Sequence, residues 1–291
     1  MEKKITLVKK SFRYQTANIA YRILGSGKPL VLVHGFGEDS HIWDEQVSFL
    51  QQHCLLIVPD LPGSGESERL EEKLKVKSQK SEENSGAEPA IDAISIEDYS
   101  DCIKALLEQE NIANCTMLGH SMGGYITLAF AEKYPEVLTG FGLIHSTAFA
   151  DSEEKKRNRQ KSIELIESYG PYPFLRNTIP NLFGAKFKAN YPERVEALIQ
   201  SSQNFTKEAI EQYTLAMMNR PDRTAVLRGN PLPVLFVMGT EDLAAPMADV
   251  MQQTPLPIHS IVQVLQNTGH IGMWEATAEM NSILLGFINR P

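Results

Sequence analysis

A serine, an aspartate and a histidine far apart in this chain have the types and settings needed to break an acyl bond. Gly119-His120-Ser121-Met122-Gly123-Gly124 reads Gly-x-Ser-x-Gly with one more glycine. A serine hydroxyl is a poor nucleophile at its free pKa, so it needs a base within hydrogen-bond reach and a third group to orient that base. Glycines without Cβ let a strand and a helix close on each other while the serine protrudes from a strained turn. Ser121 then lies at a helix N-terminus, where free N–H groups and the helix dipole favour negative charge. His270, preceded by Gly269, is the expected base. Asp242, in Gly239-Thr240-Glu241-Asp242, is the expected orienting acid, with Glu241 its immediate rival and Asp249 a more distant one. The developing oxyanion needs two N–H donors, for which Met122 and Phe36, in His34-Gly35-Phe36-Gly37, are the candidates. One such donor contributes about 10²–10³ in rate.

These residues need a scaffold that brings them together. Asn114 to Leu118 is an apolar run of strand length before the serine, and Tyr125 to Tyr134 is helix-like and ends at Pro135. Ile5 to Val8 and Ile19 to Leu24 read as opening strands. Leu30 to Val33 and Leu55 to Val58 are continuous apolar runs, as strands buried on both faces require. A helix from Asp39 or Ser40 to about Gln51 separates them, and another runs from Ser95 through Glu110 with Tyr99, Ile103, Leu106 and Leu107 on one face. Gly140 to Ile144, Val234 to Met238 and Ser260 to Leu265 complete the strands, and a last helix spans about Trp274 to Ile288. Alternation of strand and helix predicts an α/β fold with a mostly parallel central sheet flanked by helices. Functional residues of such a sheet collect at the C-terminal ends of the strands. Asp242 and His270 each follow a strand closely; Asp60-Leu61-Pro62-Gly63-Ser64-Gly65 also follows one, but reads as a structural turn.

Two segments interrupt the alternation. Residues 66–93 are rich in Glu, Lys and Ser and read as a polar, mobile insertion. Residues 146–230 hold helix-like stretches at Ser152 to Tyr169, Pro192 to Ser202 and Thr206 to Asn219, punctuated by Gly170-Pro171-Tyr172-Pro173 and Arg220-Pro221-Asp222. The expected organisation is a core from 1–145 and 231–291 with a helical cap from 146–230. Tyr172, Phe174 and Met217 are candidate substrate contacts from that cap.

Composition excludes several other classes. Of 291 residues, 42% are apolar and 22% charged, the balance of a soluble globular chain. A net charge of −8 with no extended basic stretch argues against nucleic acid and anionic membrane as partners. No apolar run approaches the roughly 18 residues of a membrane span, and Lys9 and Lys10 break the N-terminal run too early for a signal peptide. Cys54, Cys102 and Cys115 show no metal-type pairing and read as buried thiols, which suits a reducing compartment. The expectation is a cytoplasmic monomer or homodimer acting on a small molecule, with neither metal nor organic cofactor.

The chain resembles α/β-hydrolase fold proteins of the capped, esterase-like type. The resemblance rests on His34-Gly35-Phe36-Gly37 with Trp43, Asp60-Leu61-Pro62-Gly63-Ser64-Gly65-Glu66-Ser67, the Ser121 turn, Gly239-Thr240-Glu241-Asp242 and Gly269-His270. It covers both core segments and leaves out the cap. The order serine, acid, histidine is that of this fold, and His145, a strand-end histidine, comes too early for it. His53 and His259 precede strands, and His120 is directed away from the site by the turn. The resemblance implies acyl transfer by a Ser-His-Asp triad. Other chemistry on the same triad stays open: carbon–carbon, lactone or amide hydrolysis, perhydrolysis, or a ligand sensor with vestigial hydrolysis. Dehalogenase and epoxide-hydrolase relatives carry aspartate where Ser121 stands. The insertion at 66–93 departs from the short connection usual in the family.

Overall fold

The computed structural model describes residues 8–71, 73–74 and 91–290. Its strands are β1 Val8–Tyr14, β2 Ala17–Gly25, β3 Pro29–Val33, β4 Leu55–Pro59, β5 Lys73–Leu74, β6 Ile91–Asp92, β7 Cys115–His120, β8 Leu138–Ile144, β9 Pro233–Gly239 and β10 His259–Leu265. Helices α1 Asp44–Leu50, α2 Ile96–Gln109 and α3 Met122–Lys133 alternate with the early strands. Six helices follow between β8 and β9: α4 Glu153–Tyr169, α5 Pro171–Thr178, α6 Ala185–Asn190, α7 Pro192–Ser201, α8 Lys207–Asn219 and α9 Thr224–Leu227. The chain closes with α10 Met247–Met251, α11 Gly272–Glu275 and α12 Thr277–Ile288.

Eight strands form one sheet in the order β1-β2-β4-β3-β7-β8-β9-β10, and β5 pairs with β6 apart from it. β1 and β2 are antiparallel to each other, and β2 is antiparallel to β4. From β4 to β10 every pairing is parallel. Leu30 to Val33, Leu56 to Val58 and Val234 to Met238 are completely buried, because helices cover both faces of the parallel region. Parallel pairing sends the C-terminal ends of β3, β4, β7, β8, β9 and β10 to one edge. The loops carrying Phe36, Asp60, Ser121, His145, Asp242 and His270 therefore meet there.

Several elements differ from their sequence expectation for identifiable reasons. β1 begins at Val8 and runs through Lys9 and Lys10 to Tyr14; Ile5 to Leu7 lie outside the described residues, as does most of 66–93. Lysines suit this strand because it is the sheet's edge, while Phe12 and Tyr21 meet edge to face at 6.0 Å. The helix expected after Asp39 is split. Asp39 accepts His41 N–H at 2.9 Å and starts a 3-10 turn, Ser40–Trp43, before α1. Pro171, read as punctuation, opens α5 instead, at a position where the missing N–H has no intrahelical acceptor to lose. The last helix is broken at Ala276, whose φ of −132° and ψ of 48° end α11 and start α12.

The helices between β8 and β9 are tied down at both ends of the segment. Asp151 pairs with Arg220 at 2.8 Å, and Arg220 stacks 3.8 Å from the Tyr125 ring on α3. Arg223 donates to Glu132 on α3 at 2.9 Å and also to Glu97 on α2. No helix among the described residues is long and apolar enough to cross a membrane.

One close approach sets the position of α3. A Cβ added at Gly123 would lie 2.5 Å from Val33 O and 2.6 Å from His34 O. Both are backbone atoms at the end of β3, so no rotamer change relieves the clash. Gly123→Ala is expected to destabilise the fold by about 3 kcal/mol, the upper end of the overpacking range. Denaturant unfolding checks this; an unchanged midpoint would contradict it.

Candidate active site

β7 ends at His120 and α3 begins at Met122, leaving Ser121 alone between them with φ 52° and ψ −116°. A non-glycine residue pays strain there, of order 1–3 kcal/mol, and keeps the conformation only if the surroundings impose it. Its carbonyl accepts from Ser146 Oγ at 2.7 Å and from Gly124 N–H at 2.9 Å. Ser121 N–H donates to Ile144 O at 3.0 Å. The Ser121 side chain makes no cap hydrogen bond with α3 and stays partly exposed, while residues 115 and 117–131 around it are otherwise buried. The hydroxyl is thus not used for structure.

Asp242 and His270 converge from the loops after β9 and β10. His270 Nδ1 lies 3.0 Å from Asp242 Oδ1 and 2.9 Å from Oδ2. Oδ1 also accepts Ala244 N–H and Ala245 N–H, both at 2.9 Å. Burial alone would raise the carboxyl pKa, but the facing His270 and His145 hold it well below the usual carboxylate range. Burial alone would lower the His270 pKa, and the Asp242 charge reverses this to a net rise. An Nδ1 proton directed at Asp242 leaves Nε2 as the basic nitrogen. The His270 backbone N–H donates to Leu182 O at 2.6 Å, so the segment between α5 and α6 helps to seat the ring.

The loop after β3 touches the serine. A Cβ built at Gly35 would stand 3.0 Å from Ser121 Cβ, so any larger residue there would crowd the serine. Gly35 N–H itself is committed to Glu38 Oε2 at 2.9 Å, which makes Phe36 the next N–H along the loop. Met122 opens α3, where a first-turn N–H lacks an intrahelical acceptor. His34 staples the loop below: its Nε2 accepts Leu61 N–H at 2.9 Å. Glu38 Oε2 also faces His120 Nδ1 at 2.9 Å, and His120 Nε2 faces His270 O at 2.9 Å. Both His120 nitrogens therefore meet oxygens, and one buried pair links the Gly35 loop, the Ser121 turn and the His270 loop. Burial would raise the Glu38 pKa, but His120 holds it below the usual range.

The sequence model of the alpha/beta hydrolase fold family matches residues 28–164. A thermophilic esterase from Thermogutta terrifontis superposes with a TM-score of 0.84 at 27% identity, over 97% of this chain and 98% of its own. The chain has the α/β-hydrolase fold. Lipase 1 of Psychrobacter immobilis is 26% identical over 87% of this chain and 74% of its own length. The dihydrolipoyllysine-residue acetyltransferase component of the acetoin cleaving system of Pseudomonas putida is 28% identical over 91% of this chain. The chain spans 64% of that relative's length.

The other sequence candidates take separate places. Asp60 accepts Ser40 N–H and Glu66 N–H, each at 3.0 Å, and so organises its turn. Glu241 accepts Ala185 N–H at 2.7 Å, away from the Asp242–His270 pair, and Asp249 sits in α10. Phe174 on α5 meets Phe36 edge to face at 6.5 Å. Tyr172 is half-buried and accepts from Gln203 at 3.3 Å. Met217 is buried within the hydrophobic core. Two further histidines meet the Asp242–His270 pair. His120 is turned from Ser121, as expected, yet it reaches the back of His270. His145, set aside on chain order, donates from Nδ1 to Asp242 Oδ2 at 3.0 Å. Its signal was present: it follows the last residue of β8 directly, as Ser121 follows β7.

Proposed function

We propose that this α/β-hydrolase cleaves an ester-like bond of a small or medium apolar acyl substrate through Ser121, His270 and Asp242. The observation that carries the reading is the doubly contacted Asp242–His270 pair at the same sheet edge as a serine held at positive φ with its hydroxyl unused. His270 Nε2 takes the Ser121 proton as Oγ attacks the carbonyl carbon. Phe36 and Met122 N–H groups receive the oxyanion, each contributing about 10²–10³. The tetrahedral intermediate collapses as the His270 imidazolium protonates the leaving alkoxide, leaving an acyl-Ser121 ester. Water, deprotonated by His270, releases the acid and restores the serine. Asp242 holds the tautomer and stabilises the imidazolium throughout. The esterase and lipase likenesses favour an ester among acyl substrates.

The helices of 146–230 are read as a cap over this edge. Phe174, resting on Phe36, is the best placed of the three acyl-pocket candidates. Tyr172 lies beside it, and Met217 contributes from behind. Labelling with a fluorophosphonate, followed by peptide mapping, is expected to place the adduct on Ser121. A p-nitrophenyl ester panel is expected to show the highest kcat/KM for short to medium apolar acyl groups. Labelling elsewhere, or a strong preference for charged acyl groups, would overturn the reading.

A further inference from the structure

We propose that His145 is a positioning residue of the acid–base pair, a neutral imidazole that clamps the outer oxygen of Asp242 and thereby sets the proton affinity of His270. This rests on the reading of Asp242 and His270 given above. Asp242 Oδ1 has three donors, Ala244 N–H, Ala245 N–H and His270 Nδ1–H. Oδ2 has two, His270 at 2.9 Å and His145 at 3.0 Å. Without His145, His270 would be the sole donor to Oδ2 among the described residues. The carboxylate would then concentrate its charge on His270 and lose one of the contacts that fix its plane.

The protonation state of His145 follows from its surroundings. Its side chain is fully buried, and Nε2 has no hydrogen-bond partner among the described residues. A Cβ added at Gly272, two residues beyond His270, would lie 2.3 Å from that nitrogen. The glycine lets α11 close over the ring and leaves no acceptor there. A second proton on His145 would be a buried, unpaired N–H on a cation, so the ring is the neutral Nδ1–H tautomer. Burial pushes its pKa down in the same sense. Neutrality matters for catalysis. The His145 and His270 ring centroids are 5.8 Å apart, and a second cation at that distance would oppose the imidazolium that proton transfer creates. A neutral N–H donor supplies a dipole to Asp242 without that penalty.

The backbone is also bent to place this ring. His145 has φ 49°, in the left-handed region, with its N–H on Val237 O at 2.8 Å. Histidine is less at ease there than glycine or asparagine. Holding a buried imidazole in that conformation fits a ring directed at the carboxylate.

The charged and titratable groups facing His270 are Asp242 and His145 from the ends of β9 and β8, His120 from β7, Glu38 from the loop after β3, and Glu275 on α11. Of these, only His145 and His270 share an oxygen of Asp242. His145→Leu removes that donor, leaving Asp242 with a stronger field at His270. The His270 midpoint is expected to rise by about half to one pH unit. The acid limb of kcat/KM should move up with it, because only neutral His270 is a base. Loosened orientation is expected to lower kcat about tenfold to a hundredfold. His145→Asn keeps an N–H near the Nδ1 position and tolerates positive φ, so it is expected to return both readings toward wild type.

The test combines the pH profile of p-nitrophenyl ester hydrolysis with NMR titration of the ¹³C-labelled His270 imidazole. If the leucine variant does not fold, His145→Gly relaxes φ, removes the donor and carries the same expectation. A parallel rise in both midpoints, reversed by asparagine, supports the proposal. A lower melting temperature or lower kcat with both midpoints unmoved would mean that His145 only packs, and would overturn it. The NMR titration needs no turnover. A failure of Ser121 as nucleophile therefore appears in the labelling experiment, while a failure of this proposal appears as an unchanged His270 titration.

Discussion

Ser121→Ala is expected to fold as the wild type does and to lose about 10⁴ or more of its esterase turnover. The folded state should tolerate the change because Oγ makes no cap hydrogen bond with α3. What holds the turn is backbone and neighbours: Ser146 Oγ and Gly124 N–H on the Ser121 carbonyl, and Ser121 N–H on Ile144 O. Alanine keeps the Cβ that serine already carries at φ 52°, so the strain is unchanged. The melting temperature should stay near that of wild type. The rate falls because no other side chain sits at the tip of the turn to form the acyl intermediate. Near-wild-type turnover on p-nitrophenyl esters, or retained fluorophosphonate labelling, would sink the assignment.

Asp242→Asn is expected to remove about 10⁴ in kcat by a different route. The carboxylate faces only donors: two backbone N–H groups and the Nδ1 atoms of His145 and His270. An amide must turn its NH₂ toward one side. The backbone donors at Ala244 and Ala245 keep the amide oxygen, so the NH₂ takes the Oδ2 position between the two rings, and the Nδ1–H groups of both His145 and His270 lose their acceptor there. His270 then best answers by losing its Nδ1 proton and carrying it on Nε2. In that tautomer it donates toward Ser121 and cannot accept the serine proton. The variant also lacks the charge that stabilises the imidazolium. Single-turnover kinetics should show acylation slowed with KM little changed. Acylation within tenfold of wild type would show that Asp242 does not orient the base.

The Ser121 turn was legible because its constraints are local. A Cβ at Gly119 would lie 2.1 Å from Gly123 O, so a strand and helix meeting this tightly must spell their glycines out. The meeting of Asp242 and His270 was legible through topology. Parallel strands deliver their following loops to one edge, and each residue follows its strand closely. His145 obeyed the same rule but was set aside because a three-residue chain order has no place for a second histidine. Glu38 gave no such signal. It lies three residues past Gly35 in an ordinary loop, and its value comes from meeting His120 and Gly35 N–H in a buried pocket. The helices at α5 and α6 were missed because short helices are stabilised by packing more than by propensity. Phe183 and Phe187, stacked at 5.3 Å, illustrate that packing.

The amino-acid sequence by itself determined the turn that presents Ser121, the buried strands, and the order in which Ser121, Asp242 and His270 arrive along the chain. Those features are written in short-range steric demands and in residue patterns along single elements. Only the tertiary structure decided which side chains share Asp242 and what surrounds His270. It also decided that the backbone of the segment after α5, through Leu182 O, helps to seat the His270 loop. These depend on distances between loops that are 97 residues apart for His145 and Asp242, and 82 for Glu38 and His120. Local sterics present Ser121; the neighbours of His270 come together only when the parallel sheet closes.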